Sequence, residues 1–146
     1  MNSIFREAQI NDIDAIFVVR VAVRENRLNY SQLRAIGITP ESIAQDLSED
    51  SKAWVCECDG KVVGFSMANS TDGRIFALFV LPDYEQKGIG KELLAMSVSW
   101  LRSKRVPKAW LTTDEDTRAA GFYRNVGWST NGEIDHGEIR FELNLS

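Results

Sequence analysis

A chain of 146 residues, 44% apolar and 26% charged, matches the usual range of one globular domain. Residues 1–146 are therefore read as a single domain, long enough to bury a core without a disulfide or metal staple. A net charge of −4 with no basic block argues against nucleic acid as the main partner. No apolar run approaches the ~18–20 residues of a membrane span. The start, Met1-Asn2-Ser3-Ile4-Phe5-Arg6-Glu7, lacks the charged-then-apolar layout of a secretion signal, so the default expectation is a cytoplasmic protein with no membrane partner.

In chain order, Ser3 to Glu7 suits a first strand. Asn11, with Asp14 three residues on, resembles a shortened capping box for a helix over about Asp12 to Leu28. Ile13, Ile16, Phe17, Val19, Val21 and Val23 make that helix apolar nearly all round, so it is expected to be covered on more than one side. Thr39-Pro40-Glu41 starts a second helix, with Thr at the N-cap and Pro at the first helical position; Ile43 and Leu47 face its core. Lys52 to Cys58 and Val62 to Ala68 are strands joined by Asp59-Gly60, a strong two-residue hairpin signal. Cys56 and Cys58 point to one face of their strand, too close along it to bridge. Zinc would need two further ligands, and His136 is the only histidine. No metal is expected, and the thiols are read as reduced and half-buried. Thr71-Asp72-Gly73 marks the next turn.

The stretch from Ile75 to Lys91 organises the rest. Ile75 to Leu81 is an apolar run suited to a strand buried on both faces. Pro82 cannot donate a ladder hydrogen bond, so the strand stops there. From Ile89 the apolar residues fall at 89, 93, 94, 96, 100 and 101, the spacing of a helix running to about Lys104. Gly88 and Gly90 sit where that helix begins. Its free backbone N–H groups and partial positive charge suit an anion, and glycine lets the backbone come close. A pyrophosphate is the anion expected. Two nucleotide motifs fail on spacing: position 93 is Leu, so there is no Gly-x-Gly-x-x-Gly, and Glu92 follows Lys91 where a Walker A motif needs Ser or Thr. Beyond Val106-Pro107, Lys108 to Thr113 is a strand, Asp116 caps a helix to about Asn125, and Gly127 ends it. Ile139, Phe141, Leu143 and Leu145 alternate as the last strand of a hairpin. Its turn is either Asn131-Gly132 or Asp135-His136-Gly137, the second being favoured.

Val80-Leu81-Pro82 followed by Gly88-Ile89-Gly90 resembles motif A of the GNAT superfamily of acyl-CoA-dependent N-acyltransferases, which reads Val-x-Pro and then Gln/Arg-x-x-Gly-x-Gly/Ala. Glu85 departs from it, standing in the first slot of the glycine motif. Ala119-Ala120-Gly121-Phe122-Tyr123-Arg124-Asn125-Val126-Gly127-Trp128 resembles the family's Ala-x-x-Phe-Tyr-x-x-x-Gly-Phe segment. The order of elements fits the same family over nearly the whole chain. The fold class expected is thus α/β (α+β), a GNAT-like mixed, mostly antiparallel sheet with one splayed parallel strand pair, at Ile75 and Trp110, and helices on both faces.

The resemblance implies acetyl-CoA as cosubstrate. Phe79 and Val80 would pair with the pantetheine arm as an added strand does. Gln86, Lys87, Gly88, Ile89, Gly90 and Lys91 would offer N–H groups and charge to the pyrophosphate. Asp116 stands where many members carry Asn and is also placed at the cofactor. Tyr123 would lie at the CoA sulfur, either as the acid that protonates the departing thiolate or as a hydrogen bond that holds the sulfur. No Ser or Cys–His nucleophile pattern appears, so the amine would attack directly. The general base is open among Asp114, Glu115 and Glu25; His136 is read as a turn residue. The expected activity is N-acetyl transfer to a small-molecule or peptide amine, with a homodimer left open. The alternative is a non-catalytic acyl-CoA-binding sensor or interaction module. The acceptor would be chosen by residues 24–39 and the 128–138 hairpin, and the acidic balance mildly favours a cationic one.

Overall fold

The computed structural model describes residues 2–23, 28–48, 50–114, 117–130 and 132–146. Four strands, β1 (Ser3–Glu7), β2 (Ser51–Cys58), β3 (Lys61–Asn69) and β4 (Ile75–Val80), form an antiparallel sheet in the order β1-β2-β3-β4. A second antiparallel sheet, in the order β5-β7-β6, holds β5 (Lys108–Asp114), β6 (Ile134–Asp135) and β7 (Glu138–Asn144). β4 and β5 run parallel but share only one bridge, Arg74 with Trp110, where the Trp110 N–H donates to the Gly73 carbonyl at 3.0 Å. Past that vertex the two strands diverge into different sheets. The expected splayed parallel pair is therefore present, and the sheet is split in two along it.

The helices follow their caps. Gln9 and Asp12 close a single 3-10 turn over Ile10–Asp12, and α1 runs only from Ile13 to Ala22. The expected cap at Asn11 and end near Leu28 are both corrected. Asp12 is held at once by the Gln9 N–H at 2.7 Å and by both terminal nitrogens of Arg6 at 2.8 Å, which outbids the Asn11 cap. Hydrogen bonding to Arg6 keeps the Asp12 carboxyl below the usual carboxylate range. At the other end Val23 turns extended and is buried. Ile13, Ile16, Phe17 and Val19 are buried while Val18 is exposed, so α1 keeps one outer face. α2 (Tyr30–Ala35) was not foreseen, although Asn29 and Gln32 cap it reciprocally at 2.9 Å each way, the Asn-x-x-Gln signature of a helix start. α3 (Pro40–Asp46) starts at Thr39 as expected, with Ile43 buried.

β2 is covered on both faces, which buries Cys56 and Cys58 almost completely. The expectation of half-buried thiols is corrected. Burial also pushes the Cys56 thiol up, away from reactive thiolate. The Asp59-Gly60 hairpin forms as read, with a bulge at Cys56/Glu57. α4 (Ile89–Ser103) packs on the first sheet through Ile89, Leu93, Leu94, Val98 and Leu101. Between them the buried Ser97 hydroxyl donates to Ser66 at 2.9 Å, and Ser66 donates to the Leu93 carbonyl at 3.2 Å. α5 (Arg118–Asn125) covers the second sheet, capped by Thr117, whose hydroxyl accepts from the Ala120 N–H at 3.3 Å. Thr117 thus takes the capping place assigned to Asp116, which lies outside the described residues. The final turn is His136-Gly137, both at positive φ, the favoured alternative; Asn131 of the other lies outside the described residues. Among the described residues no helix is long and apolar enough to cross a membrane.

Candidate active site

β4 was expected to be buried on both faces, and it is not. Only Ile75 is buried, and Phe76 to Val80 are half-buried. One edge of β4 pairs with β3, while the other, among the described residues, has no strand beside it once β5 has turned away. The gap is a cleft of about 310 Å³. Ile75 to Val80 form one wall, Leu111, Thr112 and Thr113 of β5 with Ala119, Phe122 and Tyr123 of α5 form the other, and Val23 closes a corner. The opening is made by twist: two parallel strands joined at one bridge and covered by different helices have no second ladder to hold them together.

The exposed edge of β4 carries backbone donors. The Leu81 N–H donates to Val63 at 2.8 Å, and Phe65 pairs with Phe79 in unbroken register. Alternation then commits the Phe79 N–H to the sheet and turns those of Val80 and Leu78 toward the cleft. Of the two residues expected to pair with a pantetheine arm, Val80 has the free-edge geometry. Phe79 instead supplies its ring, over which the Arg20 guanidinium sits at 4.4 Å. Burial lowers the pKa of Arg20.

The phosphate end is built by the chain after Pro82, which makes a 3-10 turn over Pro82–Tyr84 before α4. Gly88 is the N-cap of α4 at φ 83°, a conformation that disfavours any side chain, and no side chain caps the helix. A methyl group added at Gly88 would meet nothing within 4 Å, and one at Gly90 would touch only Val80 at 3.8 Å. The first N–H groups of α4 thus face an open concavity, which fits an anion. Gln86, Gly88, Gly90 and Lys91 line the cleft. Lys87 is exposed outside it, and the Ile89 side chain is core. Glu85, the motif's odd residue, also lines the cleft. Its carboxylate meets Arg118 Nη2 of α5 at 2.9 Å and is largely buried, so an ion pair spans the two walls.

Tyr123 lines the cleft but is 6% exposed, ringed by Phe122, Trp128 and Phe141 at 5.3–6.0 Å between centroids. Burial pushes its phenol well above the ordinary tyrosine value, so it stays protonated. Of the base candidates, Asp114 is exposed at the end of β5 and does not line the cleft; Glu25 and Glu115 lie outside the described residues. His136 sits in the β6–β7 turn, away from the cleft lining. Sequence reading missed Arg74, Arg118 and Thr112, which no motif marks because two sheets meeting across a gap bring them together; Phe122 stood in the Phe-Tyr segment without an assigned role.

Curated relatives resemble parts of this chain. It is 31% identical over 108 residues to a mycothiol acetyltransferase of Streptomyces griseus, covering 64% of this chain and 35% of that protein. It is 31% identical over 101 residues to a peptidyl-lysine N-acetyltransferase of Salmonella typhimurium, covering 65% and 63%. The chain therefore spans only about a third of the first relative's length and under two-thirds of the second's. Among solved structures, the PaiA N-acetyltransferase of Thermoplasma acidophilum in complex with coenzyme A superposes with a TM-score of 0.84 at 17% identity, over 99% of both chains. The ribosomal-protein-S18-alanine N-acetyltransferase of Escherichia coli gives 0.76 at 18%, over 99% and 95%. At such identities these two speak for the fold alone. The model of the acetyltransferase (GNAT) family matches residues 17–128, which takes in the end of α1 from Phe17, the whole of β4, the glycine turn and α5. By that match and by the split sheet, this chain belongs to the GNAT family.

Proposed function

We propose that the chain transfers an acetyl group from acetyl-CoA to a primary amine by direct attack. One observation carries the reading: a single cleft joins an uncapped helix start, a strand edge with free backbone donors and a buried phenol. Acetyl-CoA supplies the thioester to be attacked. The α4 start and Lys91 would hold its pyrophosphate, and Val80 would pair with the pantetheine arm. Positioning in the closed gap supplies much of the rate. Tyr123 would donate a hydrogen bond to the sulfur as the C–S bond breaks. A phenol raised by burial is a poorer acid than a thiol of pKa ~8.5, so it holds the thiolate while solvent takes the proton from the attacking nitrogen and returns one to the sulfur. The test is free-thiol release from acetyl-CoA over a panel of polyamines, amino acids, aminoglycosides and peptides. Turnover of none, with CoA bound, would favour a sensor over an enzyme.

Gly90 separates binding from folding. Gly90→Ala places its methyl in ordinary contact with Val80 and removes a glycine from a helix, so stability should rise by about 0.5–1 kcal/mol. Motif A admits alanine in this slot, so acetyl-CoA affinity should stay within about two-fold, well under the ~1.4 kcal/mol of a tenfold loss. Thermal unfolding and calorimetry on one preparation read both. A tenfold loss would mean that the phosphates press on the Gly90 Cα itself.

Glu85→Gln should shift both. The carboxylate faces the same concavity as the incoming phosphates while neutralising Arg118. Its removal should tighten acetyl-CoA by about two- to five-fold at low salt, fading as salt screens the charges. The free protein should lose about 0.5–1 kcal/mol with the ion pair. Weaker binding in this variant would mean that the pair itself shapes the site.

A further inference from the structure

The cleft has a second charged end. Arg74 lies at the vertex where β4 and β5 meet, six residues along β4 from Val80, about 20 Å of strand at ~3.3 Å per residue. Its guanidinium sits 5.1 Å from the centre of the Trp110 ring, which also carries Arg140 at 4.1 Å. Arg140 is paired with Glu142. Arg74 has no such partner: among the described residues no carboxylate lies within ion-pair distance of it, and its buried Nε makes no hydrogen bond. The nearby Asp72 carboxylate accepts from the Arg74 backbone N–H instead. A buried donor without a partner is rare in proteins and calls for an explanation. The indole holds one face of the guanidinium and Nε is closed off, so the terminal nitrogens are the part that can grip a carboxylate in the cleft that Arg74 lines. The whole chain is acidic, yet among the described residues the charged cleft lining is three cations against one carboxylate: Arg74, Lys91 and Arg118 against Glu85.

We infer that Arg74 is a specificity-determining residue that takes a carboxylate of the acceptor. The inference rests on the acyl-transfer reading above. It replaces the cationic acceptor that net charge favours with an amine that carries a carboxylate. Distance sets the class further. The free N–H groups of Leu78 and Val80 lie four to six residues from Arg74, about 13–20 Å of strand. The Arg74 side chain covers part of that span itself, and the rest leaves the amine and the carboxylate at least about six bonds apart. An α-amino group with its own carboxylate is too short; an ω-amino acid, or a short peptide reacting at its N-terminus, spans the gap.

The experiment compares glycine, 6-aminohexanoate and 8-aminooctanoate with their carboxamides in thiol release. Wild type should prefer the long carboxylates over their amides by about 10- to 100-fold in kcat/KM, through KM, as a charge-assisted fork contributes. Arg74→Gln should collapse that ratio toward one, and Arg74→Lys, which keeps the charge without the fork, should restore part of it. A ratio that is already one in wild type, or that survives Arg74→Gln, overturns the inference. So does an equal loss for acids and amides, which would make Arg74 a vertex brace. A binding arm stands apart from turnover: hexanoate titrated into the CoA-loaded protein and followed by chemical shifts. It should bind wild type at least tenfold better than Arg74→Gln, whereas hexanamide should not distinguish them. If no amine turns over, the acyl-transfer reading fails, and the hexanoate arm alone supports or overturns the carboxylate site.

Discussion

Tyr123→Phe should lower kcat by about 10- to 100-fold, at or below the usual range for a general acid–base group, and leave the Kd for acetyl-CoA within about two-fold. The change removes one oxygen from a side chain whose ring is fixed by Phe122, Trp128 and Phe141. None of the described residues makes a hydrogen bond to that hydroxyl, so its loss strands no partner and the fold should keep its stability within about 1 kcal/mol. The pH dependence has a definite sign. Burial raises the phenol's pKa, so the protonated form, the donor, persists from neutral pH to well beyond the ordinary tyrosine value. The fold loss in kcat should therefore be constant between pH 7 and 9, and any titration seen there belongs to the amine or its base. Single-turnover thiol release is the measurement. An unaltered rate, with chemistry shown to be limiting, would remove Tyr123 from the reaction.

Gly73→Ala should be the most damaging methyl that any glycine of the chain could gain. Gly73 sits at φ 77°, and an added Cβ would fall 2.3 Å from the Lys108 carbonyl oxygen and 2.9 Å from Val106. The first neighbour is backbone and cannot swing aside. The carbonyl of Gly73 also accepts the Trp110 N–H, so the strand that must retreat is the one it holds. Left-handed strain costs about 1–3 kcal/mol, and overpacking in a closed site costs about as much again; we expect a loss of about 2–5 kcal/mol in urea unfolding. Because β5 forms the second wall of the cleft, acetyl-CoA affinity should fall with it, although Gly73 is not among the residues that line the cleft. A variant within 1 kcal/mol of wild type would show that the vertex tolerates sliding, and the rigid-hinge description of the cleft would be wrong.

The sequence by itself determined the elements whose signal is local. Alternation, Asp59-Gly60, Thr39-Pro40 and the spacing from Ile89 to Leu101 each depend on a few neighbouring residues, and each element formed where it was read. Motif A marked β4 and the helix start, because backbone approach to an anion needs glycine at particular positions. Where two local signals competed, the outcome needed tertiary partners: Asp12 displaced Asn11 as the anchor of α1 because Arg6 arrives from β1. The both-face burial expected of β4 failed for the same kind of reason. An apolar run records that a strand is covered, not whether the cover is another strand or a cleft that a ligand fills. What only the tertiary structure decided is the meeting of residues far apart in the chain. Glu85 with Arg118, and Arg74 with Trp110, face each other because one bridge holds β4 to β5 and twist separates them beyond it. Pairing across such a gap leaves no period or spacing in the sequence, since each partner's own neighbours obey only its own strand or helix.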